Sequence, residues 1–223
     1  MATSTDSTGR VREHFRRKAF SFDHLYDEEH ALQRTLRPGL FNRREFALEV
    51  VDEYDAPRVL DVGGGSARIG ELALDHGASR YVDVDLSDSM LELAKQRLER
   101  FEDEKITLSQ GDFLRAGIPG SFDVILGLGY FDYIEDAARH LRRMRELCNG
   151  SAVASFPRWT WTKGPIRKLR YEVINNCPIF DYTEEGLRTL FADAGFAEVQ
   201  LHPGKSGFLV RASASDAAET LGR

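Results

Sequence analysis

Val59-Leu60-Asp61-Val62-Gly63-Gly64-Gly65-Ser66-Ala67-Arg68 is an apolar run carrying an acid that opens into three glycines, the pattern of a strand turning sharply into a helix. Glycine at such a turn lets backbone approach a ligand, because no Cβ stands in the way. A second run, Tyr81-Val82-Asp83-Val84-Asp85, also ends on an acid. Asp85 falls twenty residues after Gly65, where a doubly wound sheet sets a carboxylate against ribose hydroxyls. Asp83 is expected on the other side of that strand, outside the contact. Together the two runs predict a nucleotide-like cofactor site.

The third glycine decides among cofactors. A dinucleotide fold wants Gly-x-Gly-x-x-Gly so that the helix start packs under a pyrophosphate. Counted from Gly63, that last position is Arg68, whose bulk disfavours a diphosphate. No Gly-Lys-Ser/Thr occurs, which removes a Walker loop, and a Gly-x-Ser-x-Gly elbow fails at the same arginine. Asp61, Gly63 and Gly65 instead match Asp/Glu-x-Gly-x-Gly-x-Gly, with Ala67 in the last place. On these residues the chain resembles the class I S-adenosylmethionine (SAM) methyltransferases. Three more stretches resemble that family in order: Asp85-Leu86-Ser87-Asp88-Ser89-Met90-Leu91, Gln110-Gly111-Asp112-Phe113, and Phe122 to Gly127 with Tyr130-Phe131-Asp132-Tyr133 behind it. The resemblance runs from about residue 20 to residue 212.

It implies a Rossmann-like α/β fold, a seven-stranded sheet with helices on both faces and a C-terminal antiparallel hairpin. It also implies a set of cofactor contacts, with SAM as donor and S-adenosylhomocysteine as product. Asp61 would accept from the ammonium, Gly63 and Gly65 would bring backbone close, and Asp85, with Leu86 beside it, would take the ribose. Asp112 would accept from the adenine amine, with the Phe113 N–H donating, and Gly127 would lend backbone at the methionine end. Phe20, Phe22 and Tyr26 resemble a lead-in helix that folds over the cofactor. Asp132 and Tyr133 are the candidates for acid–base work, since a carboxylate near the methyl can deprotonate or orient an acceptor. The same acids could merely decorate a helix start. Tyr130, Arg158, Trp159 and Lys163 are the candidate acceptor contacts. His140 is expected to face solvent.

Composition narrows the function class. The 223 residues are 42% hydrophobic and 30% charged with a net charge of −6, a globular composition without the basic footprint of a nucleic-acid binder. Residues 158–170 are locally basic and hold Arg158, Lys163, Arg167, Lys168 and Arg170 beside Trp159 and Trp161. Such a mixture can bind an anion while stacking on an apolar body, which favours an anionic small-molecule acceptor. Cys148 and Cys177 lack metal-ligand spacing and make no disulfide framework, so no metal site is expected and Cys148 is read as a buried thiol on a helix. No apolar run approaches eighteen residues and the first nine lack a signal core, so neither a membrane span nor secretion is expected, and the cytoplasm is the default location.

Strand and helix patterns alternate from Arg58 to Ser155, which predicts a parallel sheet. A helix opened by Thr183 and a hairpin of 197–201 with 207–211 finish the chain. Residues 1–9 and 213–223 read as tails, 10–50 as a helical lid, and 51–212 as the methyltransferase domain. An acceptor-side insert fills 157–181, too long for a simple connection. Ala154-Ser155-Phe156-Pro157-Arg158 before it resembles magnesium-protoporphyrin O-methyltransferases, which makes a carboxylate on a tetrapyrrole-like acceptor the narrower alternative. A SAM-binding protein without transfer activity is the rival from another class. Neither the acceptor atom nor the oligomeric state follows from the sequence.

Overall fold

The structure is a computed structural model that describes residues 8–14, 16, 38–158, 178–204 and 207–214. Its centre is one seven-stranded sheet: β1 (Arg58–Val62), β2 (Arg80–Asp85), β3 (Ile106–Gln110), β4 (Phe122–Gly127), β5 (Cys148–Pro157), β6 (Glu198–Pro203) and β7 (Gly207–Ser213). The spatial order is β3-β2-β1-β4-β5-β7-β6. The first five strands are parallel, while β7 runs antiparallel between β5 and β6. This is the Rossmann-like sheet with a terminal hairpin that the sequence predicts.

Helices α1 (Pro38–Val51), α2 (Arg68–Asp75), α3 (Asp88–Leu98), α4 (Ala137–Leu147) and α5 (Glu184–Asp193) cover its two faces. Central strands read as unbroken apolar runs because both faces are covered, and alternate residues feed alternate layers. Leu60, Val62, Val82, Val84 and Ile125 pack with Leu141 and Met144 of α4 and Leu187 and Phe191 of α5. Val59, Tyr81, Val124 and Leu126 pack on the other side with Ala47, Val50 and Val51 of α1 and with residues of α2 and α3. The C-terminal end of the expected lid, residues 38–50, thus puts Ala47 and Val50 into the core.

Helix starts follow side-chain chemistry. Ser87 Oγ accepts from the Met90 N–H at 3.3 Å, Asp136 Oδ1 from Arg139 N–H at 3.1 Å, and Thr183 Oγ1 from Gly186 N–H at 3.1 Å. Each supplies a partner for an amide the helix cannot satisfy itself. Helix α2 differs: Ala67 precedes it in the left-handed region at φ 55°, with no side-chain cap. Left-handed alanine costs about 1–2 kcal/mol, so the family's glycine place has kept its backbone shape without its glycine.

Two expectations are corrected by the fold. Cys148 lies not on α4 but at the first position of β5, because the helix ends at Leu147; its thiol is still buried, which pushes it up to about 12. His140 does not face solvent. It is 8% exposed on the inner side of α4, its ring edge-on to Tyr130 with centroids 5.6 Å apart. The sequence period places it one helical position before Leu141 and four before Met144, so the apolar face of α4 includes it.

Candidate functional site

Strand order reverses between β1 and β4, and ligands of open α/β sheets bind at the carboxyl ends of the strands at such a point. The loop 63–67 sits there. Gly63 and Gly65 are both left-handed, at φ 72° and 63°, which only glycine adopts freely. A Cβ built on Gly65 would meet nothing closer than Met90 Sδ at 3.8 Å, so the backbone faces open space. Gly63 N–H donates to Val84 O at 2.9 Å and ties the loop to β2.

Carboxylates of β2 hold the loop from beneath, with the β1 acid Asp61 beside them. Asp85 Oδ2 accepts from Gly65 N–H at 3.1 Å and Oδ1 from Ser87 N–H at 2.7 Å. Burial raises the Asp85 carboxyl, against which the amides of Ser87, Gly65 and Leu86 pull it down. A carboxylate offers about four acceptor positions, so two such bonds leave capacity for ribose hydroxyls. Leu86 contributes backbone at this corner.

Asp61 lies deeper, 3% exposed, with Oδ2 accepting from Tyr81 OH at 3.1 Å. Burial pushes its carboxyl up to about 7; the Tyr81 hydroxyl pulls the other way and Asp85 adds to the rise.

Asp83 corrects the expectation that it points away from Asp85. Residues two apart on a strand share a face, and Asp83 Oδ1 accepts from Gly64 N–H at 3.0 Å. Two successive amides of the loop, those of Gly64 and Gly65, are therefore met by two acids of β2, Asp83 and Asp85. The signal was present in the alternation of Tyr81, Asp83 and Asp85.

The remaining predicted residues gather at the neighbouring strand ends. Asp112 stands just beyond β3, partly exposed, with Oδ1 accepting from Leu114 N–H at 2.9 Å. Phe113 is core at 2% exposure, its ring parallel to His140 at 6.3 Å. Gly127 ends β4, where a Cβ would press Phe131 at 3.2 Å. Tyr130 was expected among the acceptor contacts, and its ring lies on Gly63, within 2.7 Å of where a Cβ would be. That puts it on the cofactor loop. Burial, then Asp112 and Asp85, hold its phenol protonated.

Asp132 and Tyr133 occupy a short 3₁₀ turn, Phe131–Tyr133. Tyr182 OH donates to Phe131 O at 3.3 Å and to Ile134 O at 3.2 Å, and Phe180 N–H donates to Asp132 O at 3.0 Å. The segment before α5 thereby fixes the turn that carries Asp132. Burial raises the Tyr182 hydroxyl, and the charge of Asp132 adds to the rise. Arg158 is exposed, its guanidinium 5.7 Å from the Phe208 ring. Phe20, Phe22, Tyr26, Trp159, Lys163 and Cys177 lie outside the described residues. His140, which sequence reasoning sent to solvent, joins the site through Tyr130 and Phe113; burial lowers its titration, so it stands as neutral imidazole near pH 7.

Comparison with known proteins agrees with this geometry. A family model described as a methyltransferase domain matches residues 60–153. Protein arginine N-methyltransferase 1 of Saccharomyces cerevisiae is 35% identical over 116 residues, 50% of this chain and 32% of that protein. Acetylserotonin O-methyltransferase of Bos taurus is 26% identical over 160 residues, 69% of this chain and 46% of that one. The chain thus spans less than half the length of these curated relatives. Among solved structures, magnesium protoporphyrin IX methyltransferase from Synechocystis PCC 6803 with bound SAH superposes with a TM-score of 0.73 at 19% identity, covering 94% of this chain and 100% of that chain.

Proposed function

We propose that this chain, by its fold and its matched domain a class I SAM-dependent methyltransferase, transfers a methyl group from SAM to a small-molecule acceptor. The observation that carries this is the glycine loop: two left-handed glycines, of which Gly65 faces open space, with the Gly64 and Gly65 amides braced by two acids of β2. Bound SAM supplies an electrophilic methyl on a sulfonium, so the protein's work is chiefly to align the partners. Asp85 is read as the ribose acceptor, Asp61 as the partner of the ammonium, and Asp112 with Phe113 N–H as the adenine contacts. Gly127 and Tyr130 close the methionine end. We read the cytoplasm as its default location.

Isothermal titration calorimetry with SAM tests the reading. Asp85→Ala is expected to weaken SAM binding by tenfold to about 100-fold, since charged hydrogen bonds are worth about 1.5–3 kcal/mol and the loop loses its brace at Gly65 as well. Affinity unchanged in a folded variant would remove Asp85 from the site.

Asp132 is read as the group that orients or deprotonates the acceptor, because the 3₁₀ turn behind β4 holds it at the ligand face. Asp132→Asn is expected to slow methyl transfer about 10²-fold while SAM affinity stays within twofold. Loss of SAM binding would instead assign Asp132 to the cofactor grip, and no change in either would leave it a helix-start acid.

The acceptor is read as anionic, from Arg158 and the basic composition of residues 158–170. The full-length likeness to the protoporphyrin enzyme supports a narrower version, a carboxyl group on a large planar acceptor. A panel of carboxylated and neutral acceptors assayed with SAM separates the two, and transfer to none of them would favour a SAM-binding protein without activity.

A further inference from the structure

The acids beneath the glycine loop outnumber what gripping a cofactor requires. Asp61 and Asp83 are register neighbours on β1 and β2. A Cβ built on Gly64 would lie 2.8 Å from Asp61 Oδ2, from Asp83 Oδ1 and from Tyr81 OH, so three oxygens converge on one point under the loop. Asp83 is 0% exposed, and its Oδ2 is buried with no hydrogen-bond partner.

Among the described residues, the causes that raise the two carboxyls include no cation. On β2, Tyr81 faces the pair as a phenol that burial, followed by the neighbouring acids, keeps protonated, and Asp85 adds a third carboxyl. The register places Leu126 of β4 opposite Asp61 and Leu108 of β3 opposite Asp83. From the loop after β4 comes Tyr130, also protonated. Arg97 of α3 reaches the loop but donates to Ser66 O at 2.8 Å and pairs with Glu71 of α2 at 3.6 Å. Two buried carboxylates side by side cannot both ionise cheaply, and the pair titrates as a unit.

We propose that Asp61 and Asp83 hold one proton between them in the unliganded protein and release it to solvent when the cationic ammonium and sulfonium of SAM enter. The inference rests on SAM being the cofactor. No other bond is made or broken: the proton passes to buffer, and the ligand's positive charges take its place beside the pair. Asp83 then acts through Asp61 and Gly64, as a positioning residue. Burial is the main force raising both carboxyls, and for Asp61 the result lies near neutrality, so the exchange falls within ordinary working pH.

Calorimetry of SAM binding at pH 6.5, in two buffers of different ionisation enthalpy, counts the protons. Wild type is expected to release about one per SAM bound, and its affinity to rise up to about tenfold per pH unit from 5.5 to 6.5. Asp83→Asn keeps an acceptor for the Gly64 amide but leaves Asp61 without the second carboxyl, so release should fall below the wild-type value and the pH slope move to lower pH. The unliganded proteins give a second readout. A carboxyl held up by folding loses stability as pH rises from its unfolded value near 4 through about 7. The wild-type melting temperature should therefore fall relative to that of Asp83→Asn between pH 5 and pH 8. SAM bound by wild type without proton release overturns the proposal and leaves the cofactor reading standing. Absence of SAM binding overturns both. The wild-type measurement decides even if Asp83→Asn does not fold.

Discussion

Valine at position 65 is expected to cost at least about 10³-fold in SAM affinity, roughly 4 kcal/mol, in a protein that still folds. The fold tolerates the added volume: around a Cβ at Gly65 the first heavy atom is Met90 Sδ at 3.8 Å. What it does not tolerate freely is the backbone, since φ 63° is left-handed and costs a side-chain-bearing residue about 1–2 kcal/mol. A β-branched residue is worse placed than alanine because its χ1 freedom is also restricted. The larger part of the loss comes from the ligand side, where the two methyls would fill space the cofactor needs and draw the amide away from Asp85. Calorimetry with SAM, beside a circular dichroism melt, reads both effects. Gly65→Ala should fall between wild type and valine. Normal SAM affinity in Gly65→Val would mean that this loop is not the cofactor cradle, however well its sequence matches.

The two acid-bearing strand ends carried most of what the sequence could say. Unbroken apolar runs flanked by turn residues located β1, β2 and β4 to within a residue, because strands buried on both faces leave that mark. Ser87 and Thr183 marked helix starts by hydroxyl chemistry that acts locally. Failures came where the outcome depends on a neighbour far away in sequence. His140 is polar and lies in a helix dense in arginine, so composition pointed outward; Tyr130 and Phe113, brought by other strands, make its burial possible. Asp83 shares Asp85's face by simple alternation, yet its partner Gly64 is nineteen residues away. Tyr130 shows the same dependence on a distant neighbour: it follows β4, and its ring lies on Gly63 because β4 neighbours β1. Position in the sheet, not position in the chain, decides which side of the site a residue serves.

Alanine in place of Gly70 is expected to destabilise the protein by about 3 kcal/mol, at the upper end of core overpacking. For a chain of this size that lowers the melting temperature by about 6–12 °C. Helix propensity alone predicts the opposite sign, since alanine is favoured over glycine inside a helix by about 0.5–1 kcal/mol. Packing overrides it. A Cβ on Gly70 would lie 2.5 Å from both Cε1 and Cε2 of Tyr81 and closer still to Cζ, and neither partner has a flexible end to yield. The ring is 0% exposed in the core between α2 and β2, and its hydroxyl is the donor to Asp61. Either α2 moves off the sheet or Tyr81 turns out of line, and the second also strips Asp61 of its hydrogen bond. Thermal melts of Gly70→Ala, Tyr81→Leu and the double variant form the cycle that isolates the clash. The double variant should be more stable than the two single losses added together, by roughly 1 kcal/mol or more. Strict additivity would show that Gly70 is not kept small by Tyr81. In the single variant, SAM affinity should fall along with stability, because Tyr81 links the packing of α2 to the carboxylates under the glycine loop.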